Sequence, residues 1–433
     1  MAGGPPSSSP ALTVNSEVST SPWASSLPDD LVRQVASRLL AGDLLHYVRF
    51  RAVCRPWRSG TASPGGRGVV EPRFHPRRWM MFPEGNGLYP GHPNLHGYVR
   101  FFNLDTGAFV RARIPLFQDH CVLDSYEGLL VLQRDHDTAI RLLNPLTGDI
   151  LDLPPLSTLL PQTRQKFPKR FRARRRLAFL RCIYTAATFA DGAVTVMLVF
   201  NFLFRVAIAT PQDQQWTIST WYYKIGQPLL STQGKTYVVY ETSVERTLKI
   251  YQIDTPLPNE VLQPPKLIAT CTADKLRQPV YFVKCDSEVL VIGHSDISLS
   301  NILVYKLADL VMERYIPVTS IGDKAIFIQE RALSASTKAL PTVMGDTIIY
   351  TRPMEDYHAQ YHISSGTWLP TMNQCSILGT EQGPCSLVQH IITCCSRGHW
   401  NKGVLVSRKK YNSGWPCFQQ LQWPIAKDLR RGA

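Results

Sequence analysis

Phe101–Gly107 reads FFNLDTG, and Leu142–Gly148 reads LLNPLTG, with Asn144 falling 41 residues after Asn103. Each copy ends an apolar run, makes a tight turn and leads to a short strand closing on proline, Ile114-Pro115 in one and Leu153-Pro154 in the other. Tyr361–Pro370 (YHISSGTWLP) repeats the plan, and Tyr251–Asp254 and Val304–Asp309 are degenerate copies whose turn has lost its glycine. A second echo sets Gly234–Tyr240 (GKTYVVY) against Gly345–Tyr350 (GDTIIY). Beyond Thr61, apolar or alternating runs of four to eight residues are parted by Gly, Pro, Asn and Asp, the pattern of a chain of short strands. Strands are expected at 129–133, 140–144, 195–200, 236–240, 248–253, 289–293, 302–307 and 347–350. A repeat of about 40–50 residues with a few strands per unit is what a β-propeller blade requires. The expected fold is therefore mainly β, with a propeller of six or seven blades over residues 72–427. Two unrelated β domains that happen to share turn motifs are the competing architecture.

Ahead of the strands stands a different texture, LPDDLVRQVASRLLAGDLLHYVRFRAVCRPWR at 27–58. Pro28 sits where a first-turn proline is tolerated, and Asp29 and Asp30 face the positive end of the helix dipole. Leu31, Val32, Val35, Ala36, Leu39 and Leu40 recur at helical spacing. Gly42 ends that helix and Asp43 caps a second, whose apolar face is Leu44, Leu45 and Val48. Phe50, Val53, Cys54 and Trp57 form a third segment, which Pro56 is expected to bend. So short a module buries too little of its own surface to stand alone, so its apolar faces need a partner to cover them.

This pattern resembles the F-box, the helical module that binds the Skp adaptor of cullin–RING ubiquitin ligases. Leu27-Pro28-x-Asp30-Leu31 opens it and Val53-Cys54-Arg55-x-Trp57-Arg58 closes it. The resemblance implies that Leu27, Pro28, Leu31, Val35, Leu39, Leu44, Val53, Cys54 and Trp57 supply the adaptor-facing and internal apolar surface of an F-box spanning 27–60. Two departures are Pro56, at a position usually friendlier to helix, and the compact Ala41-Gly42 turn. The order F-box, Pro72–Trp79 (PRFHPRRW), Phe101–Gly107, Asp124–Leu132 (DSYEGLLVL), Leu142–Gly148 is similar to a large plant family that joins an F-box to a kelch-related C-terminal propeller. That resemblance implies a Skp-type adaptor and, through it, a cullin as partners, a client protein of unknown identity, and no catalytic residues in the propeller. The alternative is that residues 27–58 merely cap the propeller.

Residues 1–26 are rich in Ser, Pro, Gly and Ala and carry no Lys or Arg, so neither a secretory signal nor a transit peptide is expected there; a disordered leader is. The 10 cysteines are scattered, often inside apolar runs, and no C-x-x-C pair occurs. Free thiols in a nuclear or cytoplasmic setting are the expectation. Cys385, Cys394 and Cys395 with His390 or His399 fit no common zinc spacing, so neither a metal nor a cofactor is expected.

The net charge of +14 is concentrated. Residues 164–181 (RQKFPKRFRARRRLAFLR) hold nine Lys or Arg and no acid, and without them the excess would be +5. Lys169, Arg170, Arg172, Arg174, Arg175 and Arg176 are read as an inter-blade loop, either solvated or docking an acidic partner, with nuclear import as a second role. Only Phe167 and Phe171 interleave the early charges, too few for a stacking platform, so nucleic acid is not the expected partner. A propeller scaffold using this loop on nucleic acid is the runner-up function. Ala193–Ala209 (AVTVMLVFNFLFRVAIA) is the most apolar stretch, but Asn201 and Arg205 interrupt it; two buried strands are expected, and no membrane span. The sequence has no G-x-S-x-G, H-E-x-x-H, P-loop or G-x-G-x-x-G. Asp119-His120-Cys121 and Asp135-His136-Asp137 look like triad fragments but are read as surface loops, because neighbours on a strand point to opposite faces.

Overall fold

The computed structural model describes residues 27–82, 84, 88–163, 173–181, 183–201, 203–223, 229–242, 246–258, 260–329, 331–351, 358–369, 386–395 and 400. The chain divides into two compact units, residues 1–64 and 65–433. The expected leader lies outside the described residues.

In the first unit, helices α1 (Asp29–Gly42), α2 (Leu44–Ala52) and α3 (Arg55–Ser59) follow one another closely. Pro28 occupies the N-cap of α1, with Asp29 and Asp30 in its first turn. Asp43 breaks the helix by turning extended, and its carboxylate accepts from the Leu45 N–H at 2.8 Å to cap α2. The third segment differs from the sequence expectation. Phe50 belongs to α2, and the break falls at Cys54 (φ −155°, ψ 165°) rather than at Pro56. Pro56 instead lies in the first turn of α3, where the N–H it lacks has no intrahelical partner to lose.

The second unit is a six-bladed β-propeller. Blade 1 comprises β1 (Trp79–Phe82), β2 (Tyr98–Asn103) and β3 (Phe109–Arg113). Blade 2 is β4 (His120–Tyr126), β5 (Leu129–Arg134), β6 (Ala139–Leu143) and β7 (Ile150–Pro155). Blade 3 is β8 (Ile183–Ala190), β9 (Ala193–Phe200), β10 (Arg205–Ala209) and β11 (Thr217–Ile218), so the most apolar stretch is indeed a pair of adjacent antiparallel strands. Blade 4 is β12 (Leu230–Thr232), β13 (Lys235–Glu241), β14 (Leu248–Asp254) and β15 (Lys266–Cys271). Blade 5 is β16 (Arg277–Cys285), β17 (Glu288–His294) and β18 (Ile302–Lys306). Blade 6 has five strands, β19 (Lys324–Ile328), β20 (Ala332–Ser336), β21 (Thr347–Thr351), β22 (His358–His362) and β23 (Thr367–Leu369).

Sheets bury their faces against one another from blade 2 round to blade 1. In blade 6, Ala325, Phe327 and Ile349 pack with Phe82 and Phe102 of blade 1, while Ile326, Ile328 and Ile348 pack with Val283, Leu290 and Ile292 of blade 5. Blade 5 repeats the division: Phe282 and Val291 meet Val239, Leu248 and Ile250 of blade 4. Alternate residues of one strand thus serve two different seams, as the period of two dictates. This is why the strands read as unbroken apolar runs instead of alternating with polar residues.

Blade 6 also closes the ring. Its strand order is β20-β19-β21-β22-β23, with β19 and β21 parallel, so β20 is the innermost strand. The Ser336 N–H donates to Leu104 O at 2.8 Å, toward blade 1, and Ser334 Oγ donates to Lys284 O at 2.8 Å, toward blade 5.

The repeated turn has one chemistry. Asn103 Oδ1 accepts from the N–H groups of Asp105 (2.9 Å) and Thr106 (3.0 Å); Asn144 Oδ1 accepts from Leu146 (3.0 Å) and Thr147 (3.2 Å). Gly107 (φ 73°) and Gly148 (φ 79°) then take the left-handed conformation that returns the chain. Asn144 adds two buried donations from Nδ2, to Gly68 O (2.8 Å) and Phe74 O (2.9 Å). Asn144→Ala should therefore lower stability by about 3 kcal/mol in urea unfolding of the full chain.

Two buried imidazoles give the propeller an acid limit. Burial pushes His294, at the end of β17, and His358, at the start of β22, down to about 4. Between pH 6.5 and 4 the unfolded chain binds protons that the folded one refuses, so stability should fall as pH drops through that window. The drop is on the order of 3 kcal/mol for His294, which is 2% exposed. Urea midpoints measured from pH 7 to 4.5 should decline, and His294→Asn should make the decline shallower.

Candidate functional site

In the first unit, Val32, Ala36, Leu44, Tyr47 and Phe50 are buried and form its interior. Trp57 stacks on Phe50 with centroids 4.4 Å apart and planes 20° from parallel. Tyr47 Oη donates to Ala62 O at 2.6 Å, and Arg51 Nη1 to Thr61 Oγ1 at 2.7 Å, so the end of the unit is tied back onto α2. That small interior leaves apolar groups over. Leu31 (42% exposed) and Val35 (40%) stand one turn apart on α1, and Val53 (52%) follows α2. Of the other residues singled out in the sequence, Pro28 is exposed, Leu27, Leu39, Cys54 and Trp57 are half-buried, and Leu44 lies inside. An i, i+4 pair of aliphatic side chains facing water is a surface that association would stabilise.

The centre of the ring is filled by paired charges. Glu127, in the turn after β4, meets Arg77 of the blade 1 side at 3.6 Å, Lys284 of β16 at 3.2 Å and the Thr232 hydroxyl of β12 at 2.9 Å. Burial alone would raise this carboxyl, but Lys284, the Thr232 hydroxyl and Arg77 hold it below the ordinary range. Arg331, just before β20, pairs with buried Asp124 of β4, donates to Ser125 O at 3.2 Å and lies 5.2 Å over the Tyr184 ring of β8. The second oxygen of Asp124 accepts from the Thr185 N–H at 2.6 Å. Asp105 is likewise held low against its burial by Arg78 and Lys324. Tyr126, pushed up to about 12 by burial, donates to Ala187 O at 3.0 Å and accepts from the Gly234 N–H at 2.8 Å. Blades on opposite sides of the ring are thus locked to one another, by charges that satisfy each other.

The two triad-like clusters do not assemble. Asp119 and His120 are in contact, at 2.6 Å, but His120 is buried on β4 rather than placed in a surface loop. Its Nδ1 also meets Leu116 O at 2.9 Å, and Nε2 faces Arg141 at 3.3 Å. Cys121 points to the other face, and burial pushes its thiol up. Asp137 is occupied by Arg134.

The basic segment lies on the connection from β7 to β8. Lys169, Arg170 and Arg172 are outside the described residues. Ala173–Leu180, which holds Arg174, Arg175 and Arg176, is a helix rather than the loop expected, anchored by buried Leu180 and by Arg181 Nε, which donates to Gln133 Oε1 at 2.7 Å. Cys54, Cys121, Cys271, Cys285, Cys394 and Cys395 are free thiols. Cys385 and His399 lie outside the described residues, among which no group of three metal-ligating side chains gathers. No described helix is long and apolar enough to cross a membrane.

What the sequence did not reveal is the central network. Asp124 and Glu127 stand in the DSYEGLLVL stretch, but their partners lie as far off as Lys284 and Arg331, and nothing local marks the pairing.

Six sheets in a closed ring, preceded by a three-helix unit with an open aliphatic face, define a β-propeller protein with an N-terminal helical module. The model of the KIB1-4 beta-propeller family matches residues 101–374, and the chain belongs to that family. Over 372 residues it is 22% identical to "Putative F-box protein At4g17565" of Arabidopsis thaliana, covering 82% of this chain and 90% of that protein. Among solved structures it is similar to the Cps50 (Swd1) β-propeller domain of Myceliophteria thermophila, at 11% identity and TM-score 0.28 over 68% of this chain and 80% of that one. A chain of a nidogen/laminin complex matches at 8% identity and TM-score 0.28, over 67% and 92%. Likenesses that distant carry no functional argument.

Arg331→Met should be strongly destabilising, by about 3–5 kcal/mol, because it strands a buried carboxylate. Combining it with Asp124→Asn should recover part of the loss, measured as the shift in urea midpoint.

Proposed function

We propose that this protein is the substrate-recognition subunit of a Skp–cullin–F-box ubiquitin ligase. The observation that carries the reading is the uncovered aliphatic face of the helical unit, Leu31, Val35 and Val53, beside the half-buried Trp57. Its likeness to a relative with an F-box name supports it. On this reading the helices hold a Skp-type adaptor, the propeller holds a client protein, and the nucleus or cytoplasm is the place of action. The chain makes and breaks no bonds itself. Holding the client near the ubiquitin-charged enzyme raises its effective concentration there, so that an encounter between molecules becomes nearly intramolecular. Large apolar anchors carry most of the energy of such an interface, which assigns the adaptor contact chiefly to Leu27, Leu31, Leu39 and Trp57, while Leu44 supports them from inside.

Leu31→Asp with Val35→Asp places two charges on the open face while leaving the interior side chains in place. Co-purification of a Skp adaptor with the full chain should fall at least tenfold, with the circular dichroism spectrum unchanged. Undiminished capture by that variant would reject the reading.

A further inference from the structure

The outer strand of blade 1 carries a second binding feature. Asn103 N donates to Ala108 O, and Ile114 N donates to Gly97 O at 2.8 Å, which fixes the phase of the β2–β3 ladder. In an antiparallel pair, successive residues bond alternately inward and outward. Val110 and Ala112 therefore bond to β2, while the N–H and C=O groups of Phe109, Arg111 and Arg113 face away from the sheet. Among the described residues no strand pairs with that side of β3. The same three residues are exposed, with Phe109 at 46%.

The edge is basic. Glu84 is committed to Arg100 at 2.7 Å and stands 4.0 Å from Arg111. Arg113 has no acidic partner among the described residues. Past Arg113 the edge runs into a cavity of about 330 Å³ whose ionisable lining is His92, His96 and Arg113, joined by Gln118, with no carboxylate in its wall. The cavity's shape depends on Gly91 (φ 88°), where a Cβ would lie 2.1 Å from Phe117 O. His92 Nδ1 accepts from the Asn94 N–H at 3.2 Å, so its Nε2 carries the proton and can donate.

We propose that β3 is the docking edge for an extended acidic peptide, which adds to blade 1 as a further strand and seats an anionic side chain, carboxylate or phosphate, in the His92–His96–Arg113 cavity. The peptide's main chain pairs with the outward groups of Phe109, Arg111 and Arg113, and its acidic side chains meet Arg111 and Arg113. Backbone pairing gives such docking its affinity, and the alternate side chains give it specificity. Charge selects the occupant. A second copy would set Arg111 and Arg113 against the same residues, and Lys402, Arg408, Lys409 and Lys410 make this chain's own carboxyl-terminal region basic. The net charge of +14 draws an acidic ligand in. This deepens the receptor reading by naming the chemistry of the client segment.

The test is fluorescence anisotropy of the purified full chain with three labelled nine-residue peptides: Ser-Glu-Thr-Glu-Val-Glu-Thr-Glu-Ser, the same with the central Val–Glu glutamate replaced by phosphoserine, and the same with lysine for every glutamate. The acidic peptides should bind at least tenfold more tightly than the lysine peptide. Arg111→Glu with Arg113→Glu should erase that preference. Arg111→Pro, which removes one outward N–H and none bonded to β2, should weaken binding at least fivefold with the melting profile retained; Arg113→Gln, a milder change, should weaken it in the same direction. Tighter binding of the phosphoserine peptide assigns the cavity to phosphate, and equal binding assigns it to carboxylate. Equal affinity for acidic and lysine peptides, full affinity in the double glutamate variant, or a dimer in light scattering that Arg111→Pro dissolves would overturn the proposal. Peptide capture requires only this chain, so it succeeds or fails independently of adaptor capture, which is read on Leu31 and Val35.

Discussion

Every sheet of the propeller is apolar on both faces, and no sheet can cover either face by itself. Ile348 and Ile349 are adjacent in sequence, yet one packs toward blade 5 and the other toward blade 1. Removing any blade would expose two seams at once, so the energy that holds one blade in place is shared with its neighbours. Ring closure is the condition under which these seams are covered, and the charged centre is what that closure leaves behind. Asp124, Glu127, Lys284 and Arg331 come from different blades and meet only because the ring brings them together. Once desolvated they have to be paired, which makes the centre a registration device as much as a source of stability.

The helical unit follows the opposite logic. Its interior holds only five buried side chains, and Leu31, Val35 and Val53 are left exposed. A module this small keeps an open face because it has too little chain to close it.

Much of this was legible in the sequence, for identifiable reasons. The turn at Asn103 and Asn144 is a local device, a side chain bonding to the backbone two and three residues on, and so it repeats wherever a blade needs it. The eight expected strands were found because runs buried on two faces are conspicuous. The cap at Asp43 is likewise local. Errors arose where local signals compete: Pro56 suggested a bend but begins a helix, and the arginine-rich 173–180 looked like a loop but is helical. The count of six blades, the insertion of β20 at the centre and the ion pairs there depend on contacts hundreds of residues apart, for which the sequence has no marker.

The position of β20 has a consequence for the timing of biosynthesis. Asp124 must wait 207 residues for Arg331 to be made. At about 5–20 residues per second that is on the order of 10–40 s, far longer than collapse of a short chain. Through that interval the early blades sit on the ribosome with bare seams and an unmatched carboxylate, unable to complete the circle. A stop codon anywhere before residue 336 would leave an open arc with exposed edges instead of a shorter wheel.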